Sequence, residues 1–155
     1  LLVAVVLAVS FGLWRAATDG RFRGTHRVRG GEQPVLQESN DQASSEERGV
    51  KSTESAVAGT AYADQLGERA TFLQFSSAFC APCRATRRVL EEVTAVVPGV
   101  AHVEVDAESQ LELVRRVNVM RTPTTLVLDA SGREVTRATG APTKQQVLAA
   151  LALIE

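Results

Sequence analysis

The two cysteines of the 155-residue chain stand together in Phe79-Cys80-Ala81-Pro82-Cys83-Arg84. A Cys-x-x-Cys spacing brings both sulfurs within one helical turn, so a bond between them can close and open with little backbone movement. The pair falls where an apolar, strand-like run (residues 70–76) meets a helix-like run (residues 84–97). Cys80 then lies at a helix N-terminus, where partial positive charge favours the thiolate, the form that attacks disulfides. Arg84 follows Cys80 at helical spacing, as Arg87 follows Cys83, with Arg88 beside it. Cations so placed favour an ionised thiol. The plainer alternative for Arg87 and Arg88 is a solvated face paired with Glu91 and Glu92 one turn on. Half a zinc site shares the same spacing. Zinc needs further ligands, and the only histidines are His26 and His102, in a polar arm and a strand-like run, so no metal is expected.

The elements that must hold the cysteines follow from pattern. Residues 60–66 read as a short helix with Thr60 as N-cap, ended by Gly67. After the strand at 70–76, Val89, Leu90, Val93, Val96 and Val97 recur at helical spacing until Pro98-Gly99 stops the run. Residues 100–105 alternate as a strand and lead to Asp106, a cap for a helix over 108–117. The β-prone run 124–128 pairs with 133–139 across Asp129-Ala130-Ser131-Gly132. Thr143 caps a last helix with Val147, Leu148, Leu151 and Ile154 on one face. Alternation followed by a hairpin predicts an α/β domain at 59–155, a mixed central sheet flanked by helices on both faces.

The rest of the chain divides by composition. A net charge of −1 with 45% hydrophobic residues excludes nucleic-acid binding by overall charge. Residues 1–14 are uncharged and almost wholly apolar. The run opens on Leu1 rather than Met and reads as the latter half of a transmembrane helix, with Phe11 and Trp14 near the interface, because a span takes roughly 20 residues. A cleavable signal peptide needs a small-residue cleavage site, and Arg15 follows the run at once. Arg15, Arg21, Arg23, Arg27 and Arg29 stand against Asp19, which places the following domain in the cytoplasm by the positive-inside rule. The same arginines suit anionic lipid headgroups. Residues 15–58 read as a flexible polar linker, too poor in large apolar residues to offset its ordering entropy. Such a tether reaches roughly 35 Å.

With these elements in order, residues 59–155 resemble thioredoxin. The resemblance rests on Cys80-Ala81-Pro82-Cys83, then Arg121-Thr122-Pro123-Thr124, then Gly140 ahead of the final helix. Together with the apolar start, the whole is similar to membrane-anchored, thioredoxin-like proteins of bacteria, an N-terminal membrane helix and disordered linker preceding a thioredoxin-like fold. The resemblance implies a thiol–disulfide oxidoreductase, with Cys80 as the exposed attacking thiol and Cys83 as the buried resolving one. Phe79, Ala81, Pro82, Thr122 and Pro123 would contact substrate, with Pro123 the family's cis-proline. The redox centre would be the Cys80–Cys83 disulfide itself, with no other cofactor. Disulfide-containing proteins would be the substrates, and a thioredoxin-reductase-type or membrane donor would supply electrons. Reduction is the expected direction in the cytoplasm. An outward-facing oxidase or cytochrome-maturation reductase, and a tethered binding module without turnover, stay open as alternatives.

The chain departs from the family in three places. Phe79 stands where a Trp is usual, and Ala81 where a Gly is usual. Gln74 replaces a buried Asp that helps move the resolving thiol's proton, and a Gln cannot take a proton. His102 falls where a Lys often neighbours that Asp, and reads as a surface or strand-packing residue.

Overall fold

The computed structural model describes residues 2–18, 22–24 and 54–154. The remaining residues, including most of the expected linker, lie outside the described part, and His26 is among them. The elements are α1 (Leu2–Thr18), β1 (Phe22–Gly24), a 3-10 turn (Ala63–Gln65), β2 (Ala70–Ser76), α2 (Ala81–Thr94), β3 (Val100–Asp106), α3 (Leu111–Arg116), β4 (Thr124–Asp129), β5 (Glu134–Thr139) and α4 (Lys144–Leu151).

The sheet is five-stranded in the order β1-β5-β4-β2-β3. β2 pairs parallel with β3, while β2–β4, β4–β5 and β1–β5 are antiparallel. β2 lies inside the sheet between β4 and β3, and every residue from Ala70 to Ser76 is buried, as in a strand covered on both faces. Its side chains feed two cores. Leu73 and Phe75 join Val103, Val105 and Leu113 on the face that carries α3. Phe72 joins Leu90, Val93 and Val147 on the face that carries α2 and α4. Phe72 and Phe75 are both at 0% exposure, and each such side chain contributes about 1.5–3 kcal/mol of transfer free energy.

The helix ends follow local chemistry. Thr143 and Gln146 form a reciprocal capping box on α4, with Thr143 N donating to Gln146 Oε1 at 2.8 Å. α3 is shorter than the expected 108–117. Asp106 Oδ1 instead accepts from Glu108 N at 3.0 Å, closing a turn ahead of the helix, and Asn118 at φ 53° ends it in the left-handed conformation. The helix expected over 60–66 is only a 3-10 turn at Ala63–Gln65. So short a segment cannot sustain helix nucleation, and Thr60 Oγ1 donates to Val57 O at 2.7 Å while accepting from Tyr62 N at 3.2 Å, closing a turn ahead of Ala63–Gln65.

Two differences concern the residues ahead of the domain. Phe22–Gly24, expected in the linker, forms an edge strand on β5 with Phe22 opposite Ala138, and Phe22 packs against the α2/α4 core. Ala56 and Val57 are buried as well, with Ala56 N donating to Gly132 O at 2.8 Å. Segments this short carry no period, and only the open edge of β5 and the β4–β5 turn give them a partner. Among the described residues no helix is long and apolar enough to cross a membrane. α1 has 17 residues, short of the roughly 20 that a span takes, so the membrane helix expected at 1–14 is not carried by α1 as it stands. Its Val3, Val6, Leu7, Val9, Phe11, Leu13 and Trp14 are all exposed.

Candidate active site

β2 ends at Ser76, and Ser77-Ala78-Phe79 turn the chain into α2 with Cys80 N donating to Ser77 O at 3.3 Å. Cys80 is the N-cap of α2, at φ −97° and ψ 97°, and its Sγ accepts from Cys83 N at 3.1 Å. Pro82 sits in the first turn, where its missing N–H removes no helical bond and its fixed φ suits the backbone. Cys80 and Cys83 are joined in a disulfide with Cα atoms 5.2 Å apart. Cys80 is half-buried, while Cys83 is 2% exposed on the covered side of the helix. When the bond opens, the Cys83 N–H and the helix dipole remain at Cys80 Sγ, and both stabilise a thiolate there. Phe79 is 99% exposed, and Ala81 and Pro82 are exposed beside it.

A second loop meets this one. The Thr122–Pro123 peptide bond is cis, and Thr122 Oγ1 lies 3.2 Å from Ser77 Oγ. Pro123 is buried and Thr122 half-buried. The loop is fixed from both sides: Thr124 Oγ1 donates to Arg121 O at 2.8 Å, and Gly140 N donates to Pro123 O at 2.8 Å. Gly140 adopts φ 92°, a conformation that favours glycine. All seven sequence-predicted site residues therefore fall either at the β2–α2 junction and first turn of α2 or on the adjoining Thr122–Pro123 loop. Ser77, which ties the loops together, was not singled out by the sequence, since its role depends on a partner far along the chain.

Beneath Cys83 runs a polar chain that sequence reasoning did not assemble. Gln74 is at 0% exposure. Its Nε2 donates to Cys83 O at 3.0 Å and to Ser76 Oγ at 2.8 Å, and its Oε1 lies 3.1 Å from His102 Nε2. Ser76 in turn bonds Glu104, which pairs with Arg87 at 2.6 Å. Arg87 thus faces Glu104 across α2 and β3, and that pair, more than the attraction of Glu91, raises its pKa. Alternation explains the assembly: Gln74 and Ser76 on β2, and His102 and Glu104 on β3, share the sheet face covered by α2. Burial pushes His102 below its ordinary value of 6.5, against the pull of Glu104 and Glu91. Burial pushes Glu104 up, but hydrogen bonds from Arg87 and Ser76 outweigh it and hold the carboxyl below its ordinary range. Among the described residues no group of His, Cys, Asp and Glu could hold a metal ion.

Comparison with known proteins fits this geometry. The family model of the thioredoxin-like domain matches residues 58–155. Thioredoxin of Chlamydia trachomatis serovar D is 30% identical over 87 residues, 56% of this chain and 84% of the relative. Thioredoxin of Chlamydia muridarum is 28% identical over the same shares. Among solved structures, a thioredoxin from Nicotiana alata superposes with a TM-score of 0.52 at 26% identity, covering 60% of this chain and 79% of that one. Thioredoxin f from spinach chloroplast shares the fold, with a TM-score of 0.53 at 19% identity over 64% of this chain and 88% of that one. The chain belongs to the thioredoxin-like domain family. Within it, the closed Cys80–Cys83 pair is the redox-active element.

Proposed function

We propose that this chain is a protein-disulfide reductase working through a mixed disulfide. The observation that carries the reading is the Cys80–Cys83 pair at the start of α2, one loop away from a cis-proline turn. In the reduced protein the Cys80 thiolate attacks one sulfur of a substrate disulfide, and the other sulfur leaves with the electron pair of the broken bond. The Cys83 thiolate then attacks Cys80 Sγ and expels the second substrate sulfur. The products are a reduced substrate and a closed Cys80–Cys83 bond, so two electrons have moved. A dithiol donor, of the thioredoxin-reductase type or in the membrane, reopens the pair. Phe79, Ala81, Pro82, Thr122 and Pro123 form the substrate-facing rim, with exposed Phe79 offering apolar contact.

The test is dithiothreitol-driven insulin reduction by wild type and Cys80→Ser, with the reduction potential of the couple. Activity lost in the variant and a potential near thioredoxin's, about −270 mV, support a reductase. A potential near −120 mV, the range of strong oxidants, overturns the direction, and no turnover in wild type leaves a binding module.

The same proposal places the domain on a membrane, in the cytoplasm. Its support is an α1 on which Val3, Val6, Leu7, Val9, Phe11, Leu13 and Trp14 are exposed, followed by an arginine-rich stretch. Residues 19–21 alone separate α1 from β1, which limits the gap to about 14 Å of extended chain. β1 enters the sheet beside Ala138, at the end of β5 that leads to Gly140 and the Pro123 loop. On this reading the N-terminal segment enters at the end of the sheet that carries the redox face. Rapid labelling of Cys80 by a membrane-impermeant thiol reagent on intact cells contradicts the cytoplasmic placement.

A further inference from the structure

The polar chain under Cys83 ends on a side chain that the disulfide exchange does not consume. Because a backbone carbonyl only accepts, Gln74 must turn its NH2 toward Cys83 O and its oxygen toward His102. His102 Nε2 therefore carries a proton in either charge state, and the nitrogen that titrates is Nδ1. Gln74 and Ser76 hold no titrating proton in the working range, and Glu104 is kept ionised by Arg87 and Ser76. His102 is the member of the chain that gains a charge as the pH falls, with burial holding its pKa below the ordinary value. We propose that His102 is a positioning residue for the resolving step: it holds Gln74 against the Cys83 carbonyl, and its imidazolium form favours the Cys83 thiolate.

The proposal rests on the oxidoreductase reading above. In the resolving step Cys83 gives its proton to solvent and its electron pair forms the bond to Cys80 Sγ. The substrate sulfur leaves with the pair of the broken bond, and His102 takes part in none of these bond changes. Its influence is through charge, in an interior where charges are weakly screened. The groups facing the imidazole are Glu104 on its own strand and Glu91 and Arg87 on α2. The carboxylates draw a proton onto the ring, Arg87 and burial oppose it, and burial prevails, so the ring is neutral at pH 7.

The experiment follows the second thionitrobenzoate released when excess 5,5′-dithiobis(2-nitrobenzoate) reacts with the reduced full chain by stopped flow. That second release is Cys83 resolving the mixed disulfide on Cys80. His102→Gln keeps an N–H donor toward Gln74 but cannot become a cation. Near pH 8 the wild type and His102→Gln resolve at the same rate. Below the imidazole midpoint of His102 the wild type is severalfold faster, because a cation reached through Gln74 favours the Cys83 thiolate. In the wild type alone, the break in the profile coincides with the imidazole titration of His102 followed by proton NMR, which needs no variant. Identical profiles, a constant offset at every pH, or a wild-type break away from the NMR midpoint overturns the proposal. A wild type that releases no second thionitrobenzoate defeats the oxidoreductase reading itself, and the role of His102 falls with it.

Discussion

Gln74→Glu tests the donor–acceptor logic beneath the disulfide with almost no change of shape. Gln74 is fully buried and donates through Nε2 to the Cys83 carbonyl. A glutamate there faces a carbonyl that only accepts, so it must be protonated to bond it. In the unfolded chain it titrates near 4.3, and burial raises such a group by up to about 3–5 units. His102, 3.1 Å from Oε1, can take up a proton and pair with the carboxylate, which moderates the rise to about two units, or about 2.7 kcal/mol. The folded value is raised, so the variant is nearly as stable as wild type below about pH 4. Its stability is lost as pH rises to about 6.3, and the deficit is then constant. Urea unfolding of both proteins from pH 4 to 8 reads this directly. With a slope of about 1–3 kcal/mol/M, the variant's midpoint falls by about 1–3 M at pH 8. A separation between the two curves that does not change with pH refutes the placement of residue 74 against that carbonyl.

Other outcomes follow from the same geometry. Phe79→Ala, at a side chain 99% exposed, leaves stability within about 0.5 kcal/mol and raises the KM for insulin severalfold. An unchanged KM removes Phe79 from the substrate rim. Gly67→Ala would drive a methyl into the Ala70 carbonyl and to 2.7 Å from Ala101 N, both backbone. The expected loss is about 1–3 kcal/mol in urea unfolding, and an unaffected midpoint shows that this turn can give. In vesicles, with both cysteines replaced by serine, a dye on Met120→Cys transfers energy to a membrane acceptor more efficiently than one on Ser131→Cys. Met120 precedes the cis-proline loop and Ser131 lies in the β4–β5 turn, at the opposite end of the sheet. The reverse order refutes the shared end of anchor and redox face.

The features legible in the sequence were those encoded within a few residues of each other. The period of Leu90 and Val93 fixed a buried face for α2, the Asp129 to Gly132 segment made the expected turn, and Thr143 capped α4 as its spacing with Gln146 implies. The Cys-x-x-Cys at a strand-to-helix junction located the site for the same reason. What escaped depends on partners distant in the chain. β1 exists because β5 offers an open edge, and nothing in Phe22-Arg23-Gly24 declares that on its own. Arg87 had acids one turn along its helix, yet its partner is Glu104 on β3. Gln74 read as the loss of a proton acceptor. Only the register of β2 against β3 brings His102 to its amide oxygen, diagonally across the strands.

The central claim is that Cys80 attacks and Cys83 resolves, and trapping tests it most directly. Cys83→Ser incubated with a disulfide-bonded protein should accumulate a mixed disulfide through Cys80, seen as a mass shift that dithiothreitol reverses. Cys80→Ser should accumulate none, because its remaining thiol is 2% exposed in the closed pair. Equal trapping by both variants, or trapping through Cys83 alone, contradicts the account.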